Sequence, residues 1–237
     1  MDEAICEGSC QVCIKLLTLQ IHFVPVTICS FAYKYFVCRY IDEINCAAAR
    51  VVNAVRERAK KHEANNTAGH FDAFHIRRGD FQYKETRVEA SEILNRTKNY
   101  LVLGSTIYLG TDERDKPFFK PFADKYDVVY LDDFKNLLEN VNTNYYGMLD
   151  QLITSRSRTF FGCWFSTFTG YINRLRGYHA DLAELPGYED GIINSYYYAM
   201  EDRFDHMRTF YPVKKEYFAR EFPSSWRGID KGIGELR

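Results

Sequence analysis

Between about Phe36 and His62 the apolar positions return every three or four residues, at Ile41, Ile44, Ala48, Val51, Val52 and Val55. That period predicts a long amphipathic helix. The mostly basic run Arg56 to Lys61 lies near its C-terminal end, where positive charge complements the helix dipole. Glu63 to Gly69 is polar and closes on glycine, which breaks the pattern. From there the period alternates. Phe71–Ile76, Thr106–Leu109, Val128–Leu131 and Thr159–Phe161 are short apolar runs bounded by turn residues, which predicts strands buried on both faces. Thr86–Thr97, Lys116–Lys125, Tyr145–Ser157 and Phe165–Leu175 predict helices between and after them. Pro117 fits the first turn of the second, and Met148, Leu149, Leu152 and Ile153 form the buried stripe of the third.

Strand–helix alternation with short connections implies an α/β fold, a Rossmann-like parallel sheet flanked by helices. Residues 1–33 have no clean period and stand apart from a domain expected over 34–237. Residues 186–237 are rich in Tyr and Phe, with Tyr196, Tyr197 and Tyr198 in a row. They read as helices or irregular packing against the sheet.

Composition narrows the picture. A hydrophobic content of 46% supports a sizeable core, so disorder is not expected. The net charge of -1 argues against nucleic acid as a partner, which calls for a basic excess or stripe. Seven cysteines cannot all be paired in a closed disulfide framework. Cys6, Cys10 and Cys13 have the spacing of a radical-SAM iron–sulfur site and, with His22, of a zinc cluster; small buried hydrophobes are the plainer reading, because nothing downstream resembles a (β/α) barrel. Asp2, Glu3 and Glu7 do not suit the basic start of a signal peptide. Leu16 to Tyr33 is interrupted by Gln20, His22 and Pro25, so no membrane anchor is evident. Sequons stand at Asn65-Asn66-Thr67 and Asn95-Arg96-Thr97.

The polar residues at the strand ends carry the chemistry. His75-Ile76-Arg77-Arg78-Gly79-Asp80 closes the first strand, Thr111-Asp112-Glu113 follows the second, and Asp132-Asp133 the third. Cys163 to Thr169 follows the fourth and opens a helix. In a parallel sheet all four clusters fall on the carboxyl edge, where open α/β sheets bind ligands. Arginine is suited to bidentate phosphate bonds. Ser166 and Thr167 at a helix start offer free backbone N–H groups and a positive dipole end, or serve only as an N-cap. Asp150 reads either as a solvated helix charge or as a carboxylate able to accept the N1 and amino protons of guanine. Arg78 reads equally as a ligand contact or as an ion-pair partner of Asp80. Asp132-Asp133 would suit metal–diphosphate chemistry, but no third ligand stands out, and no metal is expected. A P-loop, a GxGxxG turn after a strand and a GxSxG elbow are all missing from the sequence.

The segments HIRRGDF (75–81) and FFGCWFSTF (160–168), together with Asp150 and its helix, resemble the GDP-fucose protein O-fucosyltransferase family, with its H-x-R-R/K-x-D and late F-x-G-x-x-x-S-[ST]-F motifs. The resemblance covers about residues 34–237. It implies the carboxy-terminal, donor-binding half of a GT-B glycosyltransferase. It makes Arg77 the essential arginine on the diphosphate and the glycosidic oxygen, and it places His75, Ser166, Thr167 and Phe168 on the donor. Arg78, Asp80 and Asp112 join that donor site, and Asp150 becomes the guanine reader. The implied reaction is inverting transfer of fucose from GDP-fucose to a hydroxyl of a protein or glycan acceptor. It needs no cofactor beyond the donor, and the implied location is the ER or Golgi lumen.

One departure follows from length. A GT-B enzyme closes its site between two Rossmann-like domains of about 100–150 residues each, and this chain has 237 residues in all. The amino-terminal domain is expected to be mostly missing or replaced, and with it any catalytic base; Asp112 and Glu113 are the local candidates. The alternative is an inactive GDP-sugar-binding module, or a truncated paralogue lacking the acceptor domain.

Overall fold

The computed structural model of the protein describes residues 40–79, 87–163, 166–182 and 194–198. The cysteine cluster with His22, the Leu16–Tyr33 segment, Asp80 and most of 186–237 lie outside the described residues.

The described chain runs α1 (Asp42–His62), β1 (Asp72–Ile76), α2 (Ala90–Thr97), β2 (Thr106–Thr111), α3 (Lys120–Ala123), β3 (Asp127–Val129), α4 (Tyr146–Ser155), β4 (Phe160–Cys163), α5 (Thr167–Leu182) and β5 (Ser195–Tyr198). Five strands form one sheet in the order β3-β2-β1-β4-β5, and every pairing is parallel. The Rossmann-like α/β expectation therefore holds. Strand order runs outward from β1 in both directions, so its reversal lies between β1 and β4. That is the topological switch point, where the crevice opens outside the carboxyl ends of the strands.

Helices cover both faces. Buried residues of α1, α4 and α5 (Ile44, Val51, Val55, Leu149, Ile153, Ile172) pack with Ala73, Tyr108 and Phe160 of the sheet. On the other face Ile93 and Leu94 of α2 and Phe122 of α3 pack with Phe74, Ile76, Ile107, Leu109 and Phe161. The strands thus alternate faces residue by residue, while both faces are apolar, which is why β1 is buried along its whole length. In α1, Ile44, Ala48, Val51 and Val55 form the inner stripe, with Asp42 and Glu43 in the first turn and Lys60, Lys61 and His62 in the last.

Several boundaries differ from the sequence pattern. Tyr40 and Ile41 precede the first helix rather than belonging to it, and Ile41 is exposed. Arg87–Glu89 are not helical, so α2 begins at Ala90. The expected Lys116–Lys125 helix is split into a 3-10 turn, Lys116–Phe119, and the short α3, because Pro121 has no N–H to continue the ladder and sits instead in a new first turn. The third strand ends at Val129. There the Tyr130 N–H is taken by Asp133 Oδ2 at 2.8 Å, and the chain enters a 3-10 segment, Leu131–Leu137. Helix α4 stops at Ser155, where the Ser155 and Ser157 hydroxyls donate to the carbonyls of Leu152 (2.7 Å) and Thr154 (2.8 Å).

Helix α5 runs past the expected Leu175, through Gly177, to Leu182. Arg176 anchors that stretch. It is buried and donates to the carbonyls of Ser157 (2.6 Å), Arg158 (3.2 Å) and Asn194 (3.1 Å) and to Ser195 Oγ (2.5 Å). This ties α5 to the start of β5, the fifth strand that the tyrosine-rich tail was not expected to provide. Of the two sequons, Asn65 lies in an exposed turn at φ 66°, whereas Thr97 of the other is buried with its hydroxyl on the Ile93 carbonyl at 2.8 Å.

Candidate active site

The β1–β4 register brings the two motifs together: His75 lies opposite Gly162. A side chain at 162 would overlap the Thr169 methyl and come within 2.9 Å of its hydroxyl oxygen. Glycine therefore lets the first turn of α5 close onto the strand ends. Thr169 then reaches across to His75, with Oγ1 2.7 Å from Nδ1, and the Phe168 ring stacks on the imidazole at 4.5 Å and 26°. His75 is 5% exposed, and burial pushes its pKa down to about 3, so the ring is neutral at physiological pH. It is a packed, uncharged member of the crevice wall.

Arg77 and Arg78 diverge, as consecutive residues leaving a strand must. Arg77, with its side chain 39% exposed, places Nε 3.1 Å from Asp112 Oδ2. Asp112 also accepts the backbone N–H groups of Arg78 (2.7 Å) and Gly79 (3.0 Å). A side chain at 79 would collide with the same carboxylate. Asp112 therefore pins the turn after β1 to the end of β2 and steadies Arg77 at the crevice edge. Arg78 turns to the opposite face: Nε meets Glu113 Oε2 at 3.1 Å, Nη1 donates to the Val88 carbonyl at 3.1 Å, and the guanidinium lies 3.8 Å over the Phe118 ring. Its side chain is 19% exposed. This geometry favours the ion-pair reading of Arg78, with Glu113 as the partner. Glu113 is held below its usual pKa first by the Asp115 backbone N–H and then by Arg78.

At the start of α5, Ser166 Oγ accepts the Thr169 N–H at 3.3 Å, which is an N-cap, and Ser166 is buried. Thr167 is exposed on the first turn. The leading N–H groups of a helix lack intrahelical acceptors, so this end carries partial positive charge toward the switch point.

Asp150, from α4, stands over Gly110, the β2 residue that pairs with His75. A β-carbon at 110 would lie 3.7 Å from the Asp150 carboxyl carbon. Asp150 Oδ1 accepts the Tyr108 hydroxyl at 2.6 Å. Burial raises the Asp150 pKa to about 7, aided by Asp132 and opposed by the Tyr108 bond and Lys116. Tyr108 was hidden inside the apolar run TIYL; the available signal was that a buried tyrosine needs a partner for its hydroxyl. Lys116, which lies over the Tyr130 ring at 3.2 Å, had no sequence signal. Asp132 pairs with Lys135 at 3.3 Å, and Asp133 caps the segment after β3.

His75, Arg77, Asp112, Asp150, Ser166, Thr167 and Phe168 thus gather at the carboxyl edge of one sheet, and Asp80 lies outside the described residues. No described helix is long and apolar enough to cross a membrane.

The fold and the edge that collects these side chains place the chain among Rossmann-like α/β proteins. The sequence profile described as GDP-fucose protein O-fucosyltransferase matches residues 32–179, a span that contains every one of these side chains. The chain belongs to that family. No curated protein matches it. Membership supports a GDP-fucose-dependent fucosyltransferase function, with GDP-fucose and an acceptor as the ligands the family implies.

Proposed function

We propose that the chain binds GDP-fucose across the β1–β4 switch point and transfers fucose, with inversion and without a metal, to a hydroxyl of a protein or glycan. The observation that carries this reading is the pairing at one edge of a half-exposed arginine, Arg77, with the capped start of α5. Together they offer a fixed positive charge and backbone N–H donors to a diphosphate. The acceptor oxygen bonds to the anomeric carbon as the bond from that carbon to the β-phosphate oxygen breaks. The electron pair leaves on GDP, and the acceptor proton passes to solvent water. Arg77 and the α5 start stabilise the negative charge that grows on the leaving oxygen. Asp150 accepts the donor edge of guanine, and Thr167 borders the diphosphate.

The remaining residues build the frame. His75, Phe168 and Ser166 shape the wall and the helix start, and Asp112 steadies Arg77. Arg78 supports the turn from behind. Asp112 and Glu113 are both bonded to arginines, which leaves neither well suited to take the acceptor proton. In this reading the chain is the donor-binding half of a GT-B arrangement.

The test is donor turnover. Arg77→Ala abolishes release of GDP from GDP-fucose in the presence of an acceptor and weakens GDP-fucose binding, while the melting temperature holds. Retained turnover sinks the assignment. GDP-fucose binding by the wild-type chain with neither transfer nor hydrolysis would favour a binding module instead.

A further inference from the structure

Tyr108 sits at the middle of β2, a central strand, with no surface exposed. Its neighbours Ile107 and Leu109 are purely apolar, and a phenylalanine would fill nearly the same volume. The hydroxyl is therefore not demanded by packing. It is spent on one bond, to Asp150 Oδ1 at 2.6 Å. Burial first, and Asp150 next, hold the phenol well above its ordinary pKa, so it is a permanent donor. A phenol that donates to a carboxylate favours the charged form of that carboxylate. It also fixes the carboxylate's rotation, while part of Asp150 stays open to the surface.

We infer that Tyr108 is a positioning residue that sets the purine specificity of the site, holding Asp150 in the orientation and ionised form that accept guanine and reject adenine. The inference rests on Asp150 being the base reader. Its chemistry is simple. Guanine presents two donors on its N1 and 2-amino edge, which an ionised carboxylate accepts. Adenine presents an acceptor at N1, which an ionised carboxylate repels and a protonated one, having gained a donor, can satisfy. Selectivity therefore depends on the charge of Asp150. The groups acting on that charge are Tyr108 from β2, Lys116 from the turn before α3 and Asp132 from the segment after β3. Burial and Asp132 work against the ionised form; Tyr108 and Lys116 favour it.

The experiment is calorimetric titration of the purified full chain with GDP, IDP and ADP between pH 5.5 and 8. Using the GDP-to-ADP affinity ratio cancels the titration of the phosphates common to both. The wild type selects GDP, holds IDP at intermediate affinity because it lacks the 2-amino donor, and loses selectivity as pH falls. Tyr108→Phe lowers the ratio about tenfold, the effect of one hydrogen bond to a charged group, by weakening GDP and, as more of Asp150 is protonated, strengthening ADP. It also moves the loss of selectivity to higher pH, a shift that a merely structural role would not produce. In an Asp150→Asn background the same substitution changes nothing further. Tyr108→Leu, which also lacks the hydroxyl, decides the matter should the phenylalanine variant not fold. A hydroxyl-free variant with the wild-type ratio and pH profile overturns the inference and leaves Asp150 as reader. A wild type that binds GDP and ADP equally overturns both.

Discussion

Thr169 occupies the space that a side chain at Gly162 would fill, and from there its hydroxyl reaches His75 at 2.7 Å. Three elements, β1, β4 and α5, are locked by that one substitution-intolerant position. Gly162→Ala forces Thr169 outward and is expected to destabilise the fold by about 1–3 kcal/mol, the usual cost of overpacking. Urea unfolding checks this. A companion Thr169→Ser, which removes the overlapping methyl, should recover part of the loss in the double variant.

The two arginines of one motif should fail in different ways. Arg77→Ala is expected to remove donor turnover with little change in melting temperature, because the side chain reaches the crevice edge and its partner Asp112 keeps its two backbone bonds. Arg78→Ala removes the bonds to Glu113 and the Val88 carbonyl and the stacking on Phe118. It should cost about 1–2 kcal/mol of stability. Thermal melts beside GDP titrations separate the two; equal stability losses would contradict the division.

Among the described residues the partners of the buried cation Arg176 are carbonyls and hydroxyls rather than a carboxylate. Burial pushes its pKa down to about 10, still high enough to keep it charged at neutral pH. Arg176→Met strands several buried acceptors and should cost at least about 3 kcal/mol, at about 1–3 kcal/mol for each acceptor left bare. Hydrogen exchange should quicken first in β5, Ser195–Tyr198, the strand that Arg176 ties down. Lysine should not rescue it, since an ammonium cannot fork between carbonyls.

Stability should fall in acid, and the signs can be assigned. Burial holds His75 and His179 at about 3, below the unfolded value near 6.5. Between those values unfolding takes up protons, so each histidine destabilises the fold as pH drops from about 6.5 toward 3. Asp150 acts in reverse. Its folded pKa near 7 exceeds the unfolded value, so it contributes stability at low pH that is lost as pH rises from about 4 to 7. Asp150→Asn should therefore raise the urea midpoint at pH 8 and steepen the acid loss between pH 6.5 and 4. An unchanged pH slope would mean that burial does not raise the Asp150 pKa.

Local order was written in the sequence. Apolar runs between turn residues marked four strands, a period near 3.6 marked α1 and α4, and both motifs stood out at strand ends. These features depend on neighbours within a few residues, so periodicity and turn chemistry suffice to read them. The breaks had local causes too, yet weaker signals: Pro121 divided a helix, and Asp133 ended β3 by claiming the Tyr130 N–H.

What folding alone decided was sideways neighbourhood. Nothing in the run HIRRGDF says which strand lies beside β1. The placement of β4 there, with β2 on the other side, creates the switch point and brings Thr169 to His75 across 94 residues. The split of Arg77 toward the crevice and Arg78 toward Phe118 required knowing which helix covers which face. Tyr108 read as one more core residue until α4 set Asp150 above it. Such pairings arise from packing between distant segments, where the energy is shared among many contacts and leaves no mark at a single position.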